Sequence, residues 1–389
     1  MAACGRKVKR VLLAALLVGA AVSAVQGLRN GMTCVDFHWE SAALFLQGEN
    51  PYQYFLDGRL YKGVCVDATQ APSTIAFILP FGLLEQVAAH RTWAFCNLLF
   101  TAAFIVLLKR LWFSDDWFRA GIVGGVLVTG VAWRMMVGCG QSGIFSLLFL
   151  TLAFGLAERN HRLDWLWAGL LLAAGLFKYT ITVPLAFIFV ARRRWRTLAV
   201  CVGVHLLLTL ALGVWTGTSP LKLVHQSMIV GQRLNDAGGF ADLAGLCTQL
   251  GVADVSAAAL VGYAVFGILL LGVTAVFYRR RTTDAQIAMS VLALLSDVIC
   301  YHRFYDAVSL VFPLAALVAG KLERRAAITC ALLIGWVYFG LRILRGSPLQ
   351  GSVGVPVSVA LHLILLGMLL KTVLAAKEPN GTLDAGRSV

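Results

Sequence analysis

Apolar residues run along this chain in long, continuous blocks: 11–28, 74–89, 92–108, 119–137, 143–157, 165–191 and 197–214, then 256–278, 284–300, 307–320, 326–344 and 353–371. Blocks that are continuous rather than alternating predict helices across a hydrocarbon layer of about 30 Å, not barrel strands. Helices are also the open-ended element that satisfies its own backbone in lipid. The pattern therefore predicts an all-α integral membrane protein with about a dozen transmembrane helices. Two stretches are too polar to span, about 29–72 and 215–255. They divide the chain into an N-terminal module, 1–255, which carries both loops, and a C-terminal module, 256–389.

Composition supports this reading. Of 389 residues, 59% are hydrophobic and 13% charged, about half the charged share of a soluble domain. The formal net charge of +14 does not require a nucleic-acid partner. The basic residues sit beside the apolar blocks, at Arg6–Arg10, Arg192–Arg196, Arg279–Arg281 and Lys321–Arg325, as the positive-inside rule demands. Both polar loops then fall outside. The N-terminal run also fits a signal peptide ending near Val22-Ser23-Ala24; an uncleaved first helix is the reading preferred here. Block 165–191 leaves two arrangements open. As one long helix, it puts Lys109-Arg110 and Arg159–Arg162 outside. If instead it breaks at Lys178, and 74–89 only dips into the membrane, every basic cluster lies inside.

Four polar stretches could hold chemistry. In the first outer loop, Cys34-Val-Asp36-Phe-His-Trp-Glu40 leads into Phe37, Ser41, Leu44 and Phe45 at helical spacing, which predicts a helix lying along the membrane interface. Gly48 ends it and Pro51 stops its resumption. Asp36 just ahead of that helix is either an N-cap or a reactive carboxylate, and the two roles can coexist. Gly140-Gln141-Ser142-Gly143 is a polar break that by itself reads as a tight turn. Lys178 sits within an apolar block, where a lysine must snorkel or meet an anion. Finally, Ser296-Asp297-Val-Ile-Cys-Tyr301-His302-Arg303-Phe304-Tyr305-Asp306 packs Asp, His, Arg, Tyr and Asp between two helices. Arg303 is suited to phosphate and His302 to proton exchange near neutral pH. No GxxxxGK[ST] or GxGxxG motif follows a strand, and the nine cysteines show no CxxC spacing, so neither a nucleotide nor a metal is expected.

In this order, the stretches resemble glycosyltransferase family 87, polytopic transferases that use polyprenyl-phosphate-linked sugars. Asp36 and Gly48-Glu49-Asn50-Pro51-Tyr52 match its first outer loop, and Gly140-Gln141 matches half of its G-Q-x-N motif. Lys178 ahead of Arg192-Arg193-Arg194-Trp195-Arg196 matches its lysine helix and basic edge, and Ser296 with His302 matches its histidine turn. Gly143 stands where the family usually has Asn, Tyr179 where Pro is frequent, and Asp297 and Cys300 where it has Pro and Trp. The likeness covers about residues 30–310; the last two helices carry no motif.

The resemblance implies a GT-C-type polytopic bundle and an inverting, metal-independent transfer at the outer face of the plasma membrane, with no cofactor. The donor would be a polyprenyl-phosphate hexose or pentose, mannose favoured, and the acceptor a glycolipid or polysaccharide. Asp36 would take the acceptor proton. Lys178, Arg303 and His302 would stabilise the departing phosphate, and Glu40, one helical turn beyond Asp36, would tune it or orient the acceptor. Gln141, Tyr52, Tyr305 and Asp306 would line the donor site. Cys34 and Cys65 bracket the first outer loop and are candidates for a disulfide on the oxidising side. A transporter or flippase for a lipid-linked or anionic solute would also explain Lys178 and the charged turn, but no internal repeat supports it. A purely structural subunit leaves the polar cluster unexplained.

Overall fold

The computed structural model describes residues 2–31, 37–66, 68–159, 161–234, 255–280, 283–299, 303–344 and 353–375. Their regular secondary structure is helical apart from a two-strand ribbon pairing Leu60 with Cys65 and Tyr61 with Val64. Six helical stretches are long and apolar enough to cross a membrane: Arg10–Asn30, Gln86–Trp112, Asp164–Ala191, Trp195–Trp215, Gly262–Arg279 and Val355–Ala375. Trp117–Thr129 and Val131–Gly138 pass the same test only as a pair, bent by 62° at Gly130, the geometry of a broken span or a re-entrant loop.

Small residues set the first packing. The helix Ala2–Gly31 runs parallel to that bent pair, Leu13 against Gly121, Leu16 against Gly125 and Gly19 against Thr129. A β-carbon on any of these three glycines would lie within 2.9 Å of the facing side chain. In hydrocarbon, where association rests on close packing, this is how helices approach.

Asp164–Ala191 satisfies the length of one crossing but does not make one. A 3-10 turn at Leu176–Lys178 interrupts it, and the chain doubles back there. Ahead of the turn, Gly175 lies against Leu150; beyond it, Phe189 meets Phe154 with ring centroids 6.2 Å apart. Farther on, Arg194 pairs with Glu158 at 3.3 Å. The partners therefore go from Leu150 to Phe154 to Glu158 down the helix Gly143–Arg159, so Tyr179–Ala191 returns toward the end where Asp164 began. Continued straight, 16 residues of helix would carry Arg194 about 24 Å the other way.

The reversal gathers the positive charge. Arg192 donates to the Thr283 carbonyl at 2.6 Å, Lys321 pairs with Asp284 at 2.8 Å, Arg280 donates to the Val373 carbonyl at 2.7 Å, and Gln286 reaches the Trp112 carbonyl. Lys109-Arg110, Arg159, Arg192–Arg196, Arg279-Arg280 and Lys321–Arg325 thus share one end of the bundle, the second of the two expected arrangements. The preceding block is broken up as well. Residues 72–82 form short helical pieces, Pro72–Ile75, Ala76–Ile78 and Leu79–Gly82, and the next helix runs unbroken over Gln86–Trp112. The break falls at residues 83–85 rather than near 90.

The first-loop helix forms as Trp39–Leu46, but Trp39 through Phe45 are all buried. Gly82 crosses so closely that a β-carbon there would be 2.8 Å from the Ala42–Ala43 backbone, and Trp39 donates to the Leu84 carbonyl at 3.0 Å. Its apolar face therefore meets protein, where an interfacial helix would have met lipid. It ends in a Schellman motif: Gly48 has φ +79°, the Gly48 N–H donates to Phe45 O, and the Glu49 N–H donates to Leu44 O. Pro51 then starts a new helix, Pro51–Leu56, at the position where a missing N–H costs nothing, with Asn50 as its cap.

Candidate active site at the Lys178 turn

Opposite the basic end, the doubled-back turn presents Lys178, whose residue is only 8% exposed. The turn leaves its backbone at φ −95°, ψ 70°, and its N–H donates to the Ser146 hydroxyl at 2.9 Å. The ammonium donates to Gln141 Oε1 at 2.6 Å, lies 3.3 Å from Asp306 Oδ1, and sits 4.8 Å from the centroid of the Tyr305 ring. A buried ammonium needs this kind of surround: a carboxylate to balance its charge, an amide oxygen and an aromatic face.

Each partner is positioned locally. Gly140 turns at φ +64° and its carbonyl accepts from Trp93 Nε1 at 2.7 Å. The Gln141 carbonyl accepts from Asn97 Nδ2 at 3.3 Å. Asp306 accepts the Arg303 N–H at 3.0 Å, starting the 3-10 helix Phe304–Leu310. Asp306 itself is 4% exposed, whereas the Arg303 side chain is exposed.

The first outer loop reaches this site through aromatic rings. Phe37 stacks on Trp93 with centroids 4.8 Å apart, Trp93 meets Phe145 at 5.8 Å, and Phe145 meets Phe177, the neighbour of Lys178, at 5.8 Å. Phe37 also covers Gly140, where a β-carbon would approach its Cβ to 2.9 Å. On the other flank, Tyr52 is fully buried and donates to the Gln70 carbonyl at 2.7 Å. Burial, with Tyr179 adding to it, holds the Tyr52 hydroxyl well above its ordinary pKa, so it stays a donor. Gln70 contacts His38 at 3.1 Å, and Glu40 is buried in the same loop.

The structure thus brings Gln141, Lys178, Tyr305 and Asp306 together, with Arg303 on the same turn and Glu40 and Tyr52 in the loop packed alongside. Asp36, Cys34 and His302 lie outside the described residues, as does the Cys65 side chain, so the disulfide expectation lies there too. The cap position of the Trp39–Leu46 helix is held by His38, whose side chain makes no capping bond to the helix N–H groups. Sequence reasoning missed His90, Trp93 and Asn97, a buried row on one face of the Gln86–Trp112 helix. Its signal was there: polar positions at i, i+7 and i+11 (His90, Asn97, Thr101) within an apolar block. The described residues contain no group of three or more His, Cys, Asp or Glu that could hold a metal ion.

Comparison with known proteins gives one positive finding. No curated protein and no solved structure matches the chain. The family model for glycosyltransferase family 87 matches residues 69–300, more than half of the chain. This stretch includes the Gly140-Gln141 turn, the Lys178 turn and Ser296. The chain is a membrane glycosyltransferase belonging to glycosyltransferase family 87.

Proposed function

We propose that the protein transfers a hexose or pentose, mannose favoured, from a polyprenyl-phosphate donor to a glycolipid or polysaccharide acceptor, with inversion, at the outer face of the plasma membrane. The observation that carries this reading is a buried ammonium at the end of the bundle opposite the basic clusters. By the positive-inside rule that end is extracytoplasmic, where nucleotide sugars are absent and a lipid-linked donor is required.

An ammonium has three N–H donors. Gln141 and Asp306 engage two of them, and the third is assigned to a phosphate oxygen of the donor. As the glycosidic bond to phosphate breaks, negative charge grows on that oxygen, and a fixed cation in a dry site stabilises it without reorganisation. Arg303 is assigned as a second cation from the same turn, and His302, one residue earlier, as a hydrogen-bond donor. Asp36 is assigned as the general base, accepting the acceptor hydroxyl's proton while its oxygen attacks the anomeric carbon. Its chain neighbour Phe37 rests on Gly140, next to the Gln141 that holds Lys178. Glu40 and Tyr52 are assigned to acceptor and donor positioning in the loop.

The test is transfer in vitro from a panel of polyprenyl-phosphate sugars to extracted envelope acceptors, with the purified protein in lipid. Transfer from one member, lost in Lys178→Ala, supports the reading. Transfer from a nucleotide sugar instead, or export of an intact lipid-linked sugar without transfer, would overturn it.

A further inference from the structure

A second buried polar group lies behind the site. Asp297 and His362 are both 0% exposed, an expensive pairing inside a membrane bundle unless it does something. The Ser309 hydroxyl stands 2.7 Å from one Asp297 oxygen and 2.9 Å from the other. A hydroxyl has one hydrogen to give, so it serves one carboxylate oxygen at a time. His362 Nε2 is 3.7 Å from Oδ2. On the far side of that ring, Nδ1 is 2.7 Å from the Ser358 carbonyl oxygen, which can only accept, so Nδ1 carries a hydrogen. Nε2 then faces the carboxyl across 3.7 Å, longer than a hydrogen bond but within reach of an electrostatic contact.

The location gives the group its use. Ser309 belongs to the 3-10 helix Phe304–Leu310 and stands three residues after Asp306, the counter-ion of Lys178. The same helix is gripped again where Tyr338 donates to the Ala307 carbonyl at 3.2 Å. Next to Asp297, the Ser296 hydroxyl donates to the Thr180 carbonyl at 3.0 Å, two residues beyond Lys178. Asp297 replaces the proline usual in the histidine turn, and His362 lies on the helix Val355–Ala375, beyond the residues that match the family.

We propose that His362, packed against Asp297, fixes that carboxyl, and that Asp297, through Ser309, holds the 304–310 turn so that Asp306 and Tyr305 meet Lys178. His362 is thus a positioning residue that the C-terminal helix contributes to the active site. The proposal rests on the functional reading above only for its kinetic arm.

Two measurements test it. Hydrogen exchange of the ligand-free protein in lipid reads the turn directly. His362→Ala and Asp297→Ala should each speed exchange across 303–310 by about tenfold or more, the scale of one lost bond to a charged group, and leave 143–159 unchanged. His362→Gln, whose amide can donate to Asp297, should restore protection. Asp297→Asn should keep it, its oxygen accepting from Ser309 and its amide turned toward Nε2. In the transfer assay, with the polyprenyl-phosphate sugar that the panel identifies, the alanine variants should raise the donor KM and leave the acceptor KM unchanged. Unchanged exchange in His362→Ala, or lost protection in Asp297→Asn, overturns the proposal; should the alanine variants fail to fold, the Asn and Gln variants decide alone. If the exchange results hold but the wild type transfers from no lipid-linked donor, the functional reading fails and the positioning network stands.

Discussion

Replacing Lys178 by methionine separates what this side chain does for the fold from what it does for transfer. Methionine keeps much of the volume and removes the charge. It leaves the Asp306 carboxylate, whose side chain is 5% exposed, without its cation. Lys178 is comparably buried, so the discount that applies to surface pairs does not apply here. Removing one partner of a buried pair typically costs about 3–5 kcal/mol, most of it the stranded charge. With an unfolding entropy of about 2.1 cal/mol/K per residue, that is a fall of at least about 4 °C in thermal midpoint; helices that persist in the unfolded state lower the entropy and enlarge the fall. The double variant Lys178→Met with Asp306→Asn removes both charges, and the asparagine oxygen can still accept the Arg303 N–H. Its stability should return to near that of wild type, while transfer should stay lost. Thermal unfolding in detergent, run beside the transfer assay, reads both. A single variant as stable as wild type would show that no buried pair exists. A double variant that still transfers would remove Lys178 from the mechanism.

Asp36→Asn should leave the protein folded and inserted but without transfer, because an amide cannot take the acceptor proton; turnover near wild type would end its role as base. At the basic end, burial is the largest influence on Asp284 and opposes its ionisation. The Lys321 ammonium and the N–H groups of Gln286 and Ile287 together outweigh it and hold the carboxyl below its ordinary range. Its contribution to stability is therefore present above an unfolded pKa of about 3.9 and lost as pH falls through the lower folded value, so the acid limb of a melting profile should flatten in Asp284→Asn. Single cysteines at Ser114 and Arg193 should react with an impermeant thiol reagent from one side of the membrane, and those at Gly58 and Gly217 from the other. Labelling of positions 114 and 193 from opposite sides would refute the reversal at Lys178.

The apolar blocks and basic clusters were enough to find most helices, because crossing a hydrocarbon layer and keeping charge on one side are constraints that leave a direct mark on sequence. The reversal at Lys178 left a weaker one. A run of 28 residues from Asp164 to Ala191 has the length of a span, and the charge rule alone argued that it folds back. The structure supplies the cause: the Lys178 backbone leaves helical geometry where the Ser146 hydroxyl takes its N–H, a contact 32 residues away that no local pattern announces. The first-loop helix misled for a related reason. Periodicity identifies an apolar face, but a face turned to lipid and a face turned to Gly82 carry the same residues.

The candidate site divides along the same line. Gln141, Lys178, Tyr305 and Asp306 stood out as polar residues where apolar ones are expected, and a polar group that survives in a membrane bundle needs partners. Which partner belongs to which was not legible, since those partners come from three separate helical hairpins. The sequence reading assigned Asp306 to the donor, whereas its carboxylate is already engaged with Lys178 and the Arg303 N–H. That engagement matters for the chemistry. In the proposed mechanism the carboxylate balances the buried ammonium and fixes its direction. On that proposal, the ammonium faces the donor phosphate as negative charge builds on it. On the same proposal, Asp306 is the group that aims Lys178. On this argument Asp306→Asn should weaken transfer less than Lys178→Met does, because the amide still caps the turn and the ammonium, though less firmly held, is still present.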